Sequence, residues 1–189
     1  MTANMDSVLF SVMCCSQARD LFALAHVCTN TRAIFTRKSF WKTRFSLLGI
    51  QHKEPSLAVY IQCLKLEKKF LTDAQSTLIY CAELNLDELE KLDKHAADEY
   101  RKTLGKSIKK AKEAERARKD KNLTVHHYLL QELRSLPLHY LKVDAKKGKY
   151  IISKQKEIWG DSVPKITKEP LLEDLNKTEA LNVLLCLHS

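Results

Sequence analysis

Glycine and proline are scarce in this chain, with four of each among 189 residues. Because these residues mark turns, their scarcity favours long helices over many tight turns. Long apolar runs are also missing, and none approaches the roughly 20 residues that a membrane-spanning helix needs. Apolar side chains nevertheless make up 44% of the sequence, enough to build a buried core. We therefore expect a folded, mainly α-helical chain.

Motifs for catalysis and cofactor binding are absent as well. Neither G-x-x-x-x-G-K nor G-x-G-x-x-G occurs, so the sequence lacks the usual backbone cradles for phosphate. His126 and His127 are adjacent, which places them about 100° apart on a helix and makes a shared metal ion difficult. Acidic residues concentrate in helical charge runs such as 87–93, which are typical of solvated faces. We expect no enzymatic activity, no cofactor and no metal ion.

The six cysteines include no C-x-x-C pair, and Cys14 and Cys15 are adjacent. Free cysteines at core positions of helices behave as small apolar residues, so this pattern fits a reducing compartment. Residues 7–15 are apolar, but no basic segment precedes them, and Arg19 and Asp20 soon follow. We therefore predict no signal peptide and an intracellular location, in the cytoplasm or the nucleus.

Three short amphipathic segments open the chain. Apolar residues recur at helical spacing in residues 5–15, 18–28 and 31–48, so each segment is predicted to be a helix that buries one face. Together these helices would form a small three-helix module with its own core.

Local motifs in these segments follow, in order and without gaps, the pattern of the F-box family. They are paired aliphatic residues, an acid–leucine pair, a Val-Cys step and a closing tryptophan step: Val8-Leu9, Val12-Met13, Asp20-Leu21, Val27-Cys28, and Phe40-Trp41 followed by Arg44. The module thus resembles an F-box, as do the starts of some proteins of large DNA viruses. The family usually opens with Leu-Pro, where this chain has Asn4-Met5, and it often has a tryptophan where this chain has Thr31.

The resemblance implies a non-enzymatic adaptor. In the F-box family the module docks to the adaptor subunit of cullin-type ubiquitin ligases, and the rest of the chain recruits a client. The corresponding partner-binding residues are Met5, Val8, Leu9, Val12, Leu21, Val27, Phe40 and Trp41. No leucine-rich or propeller-type client-binding repeat follows. The missing Leu-Pro leaves a second interpretation open: a structural or polyanion-associated protein, with a host-cell or virion location if viral, that uses the bundle as a scaffold.

Positive charge is concentrated in one segment. Of the formal net charge of +9, residues 101–121 contribute +7, from ten Lys or Arg and three acidic residues. On a helix these cations would span about 30 Å and could bind nucleic acid or an acidic protein. The alternative is a solvated face with ion pairs such as Lys109–Glu113 and Lys112–Glu115. No aromatic residue is interleaved, so base stacking is not indicated. The candidate polyanion-binding residues are Lys102, Lys106, Lys109, Lys110, Arg116 and Arg118.

The remaining chain is predicted to be helical up to residue 121. A capping-box pattern at 72–75 would open a helix through Leu78 and Ile79. A spacing of three and four residues from Ile79 to Tyr100 predicts a long helix or a helical hairpin, continued by the basic segment.

Residues 139–152 carry the one good β-hairpin signal, because two strand-like segments flank a turn at 144–148. A short helix would follow Ser153, and 171–187 would form one or two more. The hairpin either caps a helical core or serves as the basic wing of a winged module. We therefore predict a mainly α fold with an F-box-like module at 5–50, a helical region at 51–121, and a small α/β region at 122–189 containing one small β-hairpin.

Overall fold

A computed structural model of the chain describes residues 2–72, 77–159 and 163–188. The chain divides into two compact units, residues 1–68 (unit 1) and residues 69–189 (unit 2). Unit 1 is helical, whereas unit 2 combines helices with an antiparallel sheet.

The described part of unit 1 forms five α-helices. They are α1 (Thr2–Cys15), α2 (Ala18–Leu24), α3 (Thr29–Thr36), α4 (Lys38–Leu48) and α5 (Leu57–Leu66). The single helix predicted over 31–48 is therefore wrong, because the backbone is extended at Arg37, with ψ at 133°, and separates α3 from α4. Gly49 ends α4 in the left-handed conformation, at φ +68°, which glycine adopts without a steric penalty.

Aromatic side chains form the core of unit 1. The Trp41 ring lies 5.0 Å from Phe40, 5.1 Å from Phe35 and 5.4 Å from Tyr60, measured between centroids. Phe40 in turn meets Phe10 edge-on at 5.9 Å. The Trp41 Nε1–H donates to the Phe35 carbonyl at 2.9 Å, which satisfies the polar group of the indole. The cluster therefore joins α1, α3, α4 and α5.

Unit 2 contains a four-stranded antiparallel sheet in the order β1-β2-β3-β4. Its strands are β1 (Thr77–Tyr80), β2 (Leu138–Lys146), β3 (Lys149–Ile158) and β4 (Lys165–Leu175). The remaining elements are a π-helical turn (Glu67–Leu71), which crosses the boundary between the units, a 3-10 turn (Cys81–Glu83), α6 (Leu86–Leu92), α7 (Lys94–Lys119), α8 (Leu123–Ser135) and α9 (Lys177–Leu187).

The prediction of one small β-hairpin is wrong, since the sheet has four strands. β2 and β3 pair where the hairpin was expected, but β3 continues to Ile158, through the segment predicted to be helical after Ser153. β1 replaces a predicted helix, because Thr77-Leu-Ile-Tyr80 finds a partner strand in β2. β4 replaces the start of the helical segment predicted over 171–187 and extends back to Lys165, because it pairs with β3. Residues 73–75 of the expected capping box lie outside the described residues.

The expected helix from Ile79 to Tyr100 is interrupted at Asp93. The Asp93 carboxylate caps α7, since its Oδ1 accepts from the Ala96 amide at 3.1 Å. α7 then packs on the sheet, where the Tyr100 hydroxyl donates to the Tyr140 carbonyl at 2.9 Å. Polar anchoring at both ends of this first stretch fixes α7 against β2 and β3.

Replacing Ile79 with alanine tests the assignment of β1. Ile79 is fully buried opposite Leu141 of β2, so the substitution should lower the free energy of unfolding by about 3 kcal/mol through lost burial and the resulting cavity. Urea unfolding measures this change. Ile166→Ala is the control, because Ile166 lies 52% exposed on β4 and should cost less than about 0.5 kcal/mol. Equal effects of the two substitutions would contradict the assignment.

Candidate functional site

An exposed apolar stripe runs along α1. Met5, Val8 and Val12 are 68%, 58% and 50% exposed, and their spacing of three and four residues places them on one side of the helix. We call these three residues the α1 stripe. Leu9 lies beside it and is partly buried, while Met13 points to the core.

The composition of α1 sets this helix apart from an ordinary surface helix. Asp6 is its only charged residue, and the Asp6 Oδ1 accepts from Asn30 Nδ2 of α3 at 3.3 Å. A surface helix normally turns its apolar stripe to the core and its polar residues to solvent. Here one side packs against α4, and the other side is open in this chain.

The other predicted partner-binding residues divide between surface and core. Val27 is 70% exposed, in the connection between α2 and α3. Leu21, Phe40 and Trp41 are buried, so they shape the module from within and do not form part of its surface. Trp41 also lines, with Phe35 among others, a groove of about 520 Å³ in unit 1.

The buried Arg44 guanidinium positions α1, a role that the sequence motif did not reveal. Its Nη1 donates to the carbonyls of Met13 and Cys14 at 3.0 and 2.9 Å, and its Nη2 donates to the Ser16 carbonyl at 2.8 Å. Nη2 also donates to the Tyr60 hydroxyl at 2.8 Å. The cation thus satisfies carbonyls that the end of a helix leaves unpaired and faces the negative end of the helix dipole.

The basic segment lies on α7 and the turn that follows it. All six candidate polyanion-binding residues are on this helix, but they do not share one face. Lys110 is turned toward α8, where it pairs with Glu132 and lies 3.9 Å from Glu113. Arg118 lies about 160° around the helix from Lys102. Lys110 and Arg118 therefore lie on other sides of α7 than the remaining four candidate residues.

The ion pairs expected along α7 are not the ones observed. Glu113 approaches Lys110 instead of Lys109, and Glu115 pairs with Lys119 at 2.9 Å instead of Lys112. Lys109 and Lys112 therefore remain exposed, with no ion pair among the described residues.

A polar cleft of about 370 Å³ opens on unit 2, where α7 faces β3 and β4. Of its three lysines, Lys154 is already held by Asp93 at 2.7 Å and by Glu169 at 3.0 Å, and Lys168 pairs with Asp144. Behind it, His139 is buried, with Nδ1 3.9 Å from the Glu99 carboxylate. No cysteine lines this cleft.

The six cysteines are free thiols, and burial raises the pKa of Cys63 to about 11. Among residues 2–72, 77–159 and 163–188, no cluster of three or more His, Cys, Asp or Glu side chains is placed to hold a metal ion. Within the same ranges, no helix has both the length and the apolarity needed to cross a membrane. Comparison with protein-family models, with curated proteins and with solved structures finds no match to this chain.

Replacing Arg44 with methionine should lower the free energy of unfolding by about 3 kcal/mol, because several buried carbonyls lose their donors. Urea unfolding measures the loss. Lys42→Met is the matched control, since Lys42 lies exposed on the same helix and should change stability by less than about 0.5 kcal/mol. If both variants unfold alike, Arg44 does not anchor α1.

His139 should make stability depend on pH. Burial lowers the pKa of its imidazole, although the nearby Glu99 carboxylate opposes this shift. The unfolded chain therefore binds the proton more readily, and stability should fall as the pH drops below about 6.5. Urea midpoints at pH 7.5 and 5.5 should show a smaller difference for His139→Gln than for the parent. The exposed His127→Gln should keep the parental difference; equal behaviour of all three proteins would contradict the assignment.

Proposed function

We propose that unit 1 is an F-box-like protein-docking module, whose partner is the adaptor subunit of a cullin-type ubiquitin ligase. The observation that carries this proposal is the α1 stripe, an apolar surface on a helix with a single charged residue. The motif resemblance of residues 5–45 suggests the kind of partner, and the stripe supplies a surface for it.

The energetics of the stripe suit docking. Burying Met5, Val8 and Val12, each half exposed or more, would contribute about 1–2 kcal/mol per side chain. These gains are made at one place on a helix that Arg44 and the aromatic core hold in position. Little of the gain is then lost to ordering the helix on binding.

The departure from the Leu-Pro opening changes the chemistry of this surface without removing it. Met5 stands at the position of the family's proline and is the most exposed member of the stripe. Its flexible thioether side chain adapts to an irregular apolar partner surface. The contact that we propose therefore uses a pliable residue where the family uses a rigid one.

The proposed role is non-enzymatic and intracellular. The polar cleft of unit 2 has no cysteine beside its buried histidine, and its Lys154 is engaged by two carboxylates. Unit 2 would serve recruitment, as the remainder of the chain does in F-box proteins.

Isothermal titration calorimetry with the purified ligase adaptor tests the proposal. The parental chain should bind, and Val8→Asp/Val12→Asp should weaken binding about 30-fold or more, because two carboxylates would be buried without partners. Val8 is 58% exposed and Val12 is 50% exposed, so both substitutions should leave the fold intact. Circular dichroism checks that it is retained.

Ser7→Asp is the matched control, since Ser7 is exposed on another side of the same helix. It should bind like the parent. Absence of binding by the parental chain at tens of micromolar adaptor would rule out this partner.

A further inference from the structure

Four cations of α7 share one exposed face. Lys102, Lys106, Lys109 and Arg116 lie within about 40° of a single line along the helix and span about 21 Å. All four are exposed, and none makes an ion pair among the described residues. We call these four residues the α7 basic face.

An adjacent side of the same stretch of α7, about 90° around the helix from the basic face, is occupied. α8 packs along it through a small core of Ala114, Ala117 and Leu129, and the His126 ring lies 3.0 Å from the Ala114 carbonyl. Glu113 falls on the same side of the helix, but its carboxylate lies 3.9 Å from Lys110, with which Glu132 of α8 also pairs. The hairpin of α7 and α8 therefore presents the basic face outward from a firm support.

The α7 basic face lacks the features of a protein-binding surface. Protein interfaces depend on a few large apolar or aromatic anchors, and no large apolar residue lies among these four cations. The exposed Ile108 is about 120° away from the line they follow. A surface of cations without anchors suits phosphate groups, which are bound by charge alone.

Gly105 adds an independent observation. A glycine in the middle of a helix costs about 1 kcal/mol relative to alanine and usually has a packing reason. Here a Cβ at this position would meet no atom within 4 Å, so the fold itself gives no such reason. The glycine lies beside Lys102, Lys106 and Lys109, where it leaves the helix surface low enough for another backbone to approach.

We propose that the α7 basic face binds the phosphate backbone of double-stranded nucleic acid, without reading its sequence. No aromatic side chain lies among the four cations to stack on exposed bases, which favours a duplex over a single strand. This activity goes beyond the docking role of unit 1 and uses residues of unit 2 alone.

Fluorescence anisotropy with a labelled DNA duplex of arbitrary sequence tests the proposal on the full chain. If all four cations contact phosphates, the logarithm of the binding constant should fall with the logarithm of salt concentration with a slope of about −3.6. Lys106→Gln/Lys109→Gln should bind more weakly at low salt, with a slope of about −1.8.

The control variant, Arg118→Gln/Lys121→Gln, removes the same charge from positions outside the α7 basic face and should keep the parental slope. Equal loss in both variants would overturn the proposal, since only net charge would then matter. A parental affinity that does not change with salt would overturn it as well. If polyglutamate competes as strongly as unlabelled duplex, the ligand is an acidic protein, and the proposal of nucleic acid is overturned.

Discussion

A single buried cation holds the proposed docking surface of unit 1 in place. Arg44 reaches the C-terminal end of α1 with no carboxylate partner among the described residues, and backbone carbonyls and the Tyr60 hydroxyl compensate its charge. Removing an arginine from water is costly, so the arrangement is stable only while all of these acceptors stay in place. The orientation of α1, and with it the side on which Met5 and Val8 are presented, therefore depends on α4 and α5.

Local patterns in the sequence located the first two helices of unit 1 but merged α3 and α4 into one, since periodic apolar residues mark a helix and do not show the extended residue between the two. They could not separate exposed from buried members, because Val8 and Leu21 look alike in a motif but differ completely in exposure. In unit 2 the errors have a different cause. β1 pairs with β2 across some sixty residues of chain, and β4 is exposed along its first half with no alternation to mark it. Pairing with a distant segment decided β1, and pairing with the neighbouring strand β3 decided β4.

The two proposed surfaces differ in physical character. The α1 stripe works by removing apolar area from water, an effect that simple salts at moderate concentration change little. The α7 basic face works by charge and counterion release, which salt weakens steeply. The sequence could not show which cations of α7 are paired and which form the basic face, because Glu132, which pairs with Lys110, lies on another helix. The ion pairs that form across α7 and α8 thus decide which cations remain available.

The outer edge of β4 carries a further consequence, for the solution behaviour of the protein. Edge strands expose unpaired backbone groups that can join sheets of neighbouring molecules into aggregates. Here the exposed half of β4 carries Lys165 and Lys168, and Pro170 lacks an N–H to offer, while the opposite edge is the four-residue strand β1. Charge, proline and shortness each oppose growth of the sheet. The chain can therefore be concentrated, or crowded in a cell, with little tendency to polymerise through its sheet.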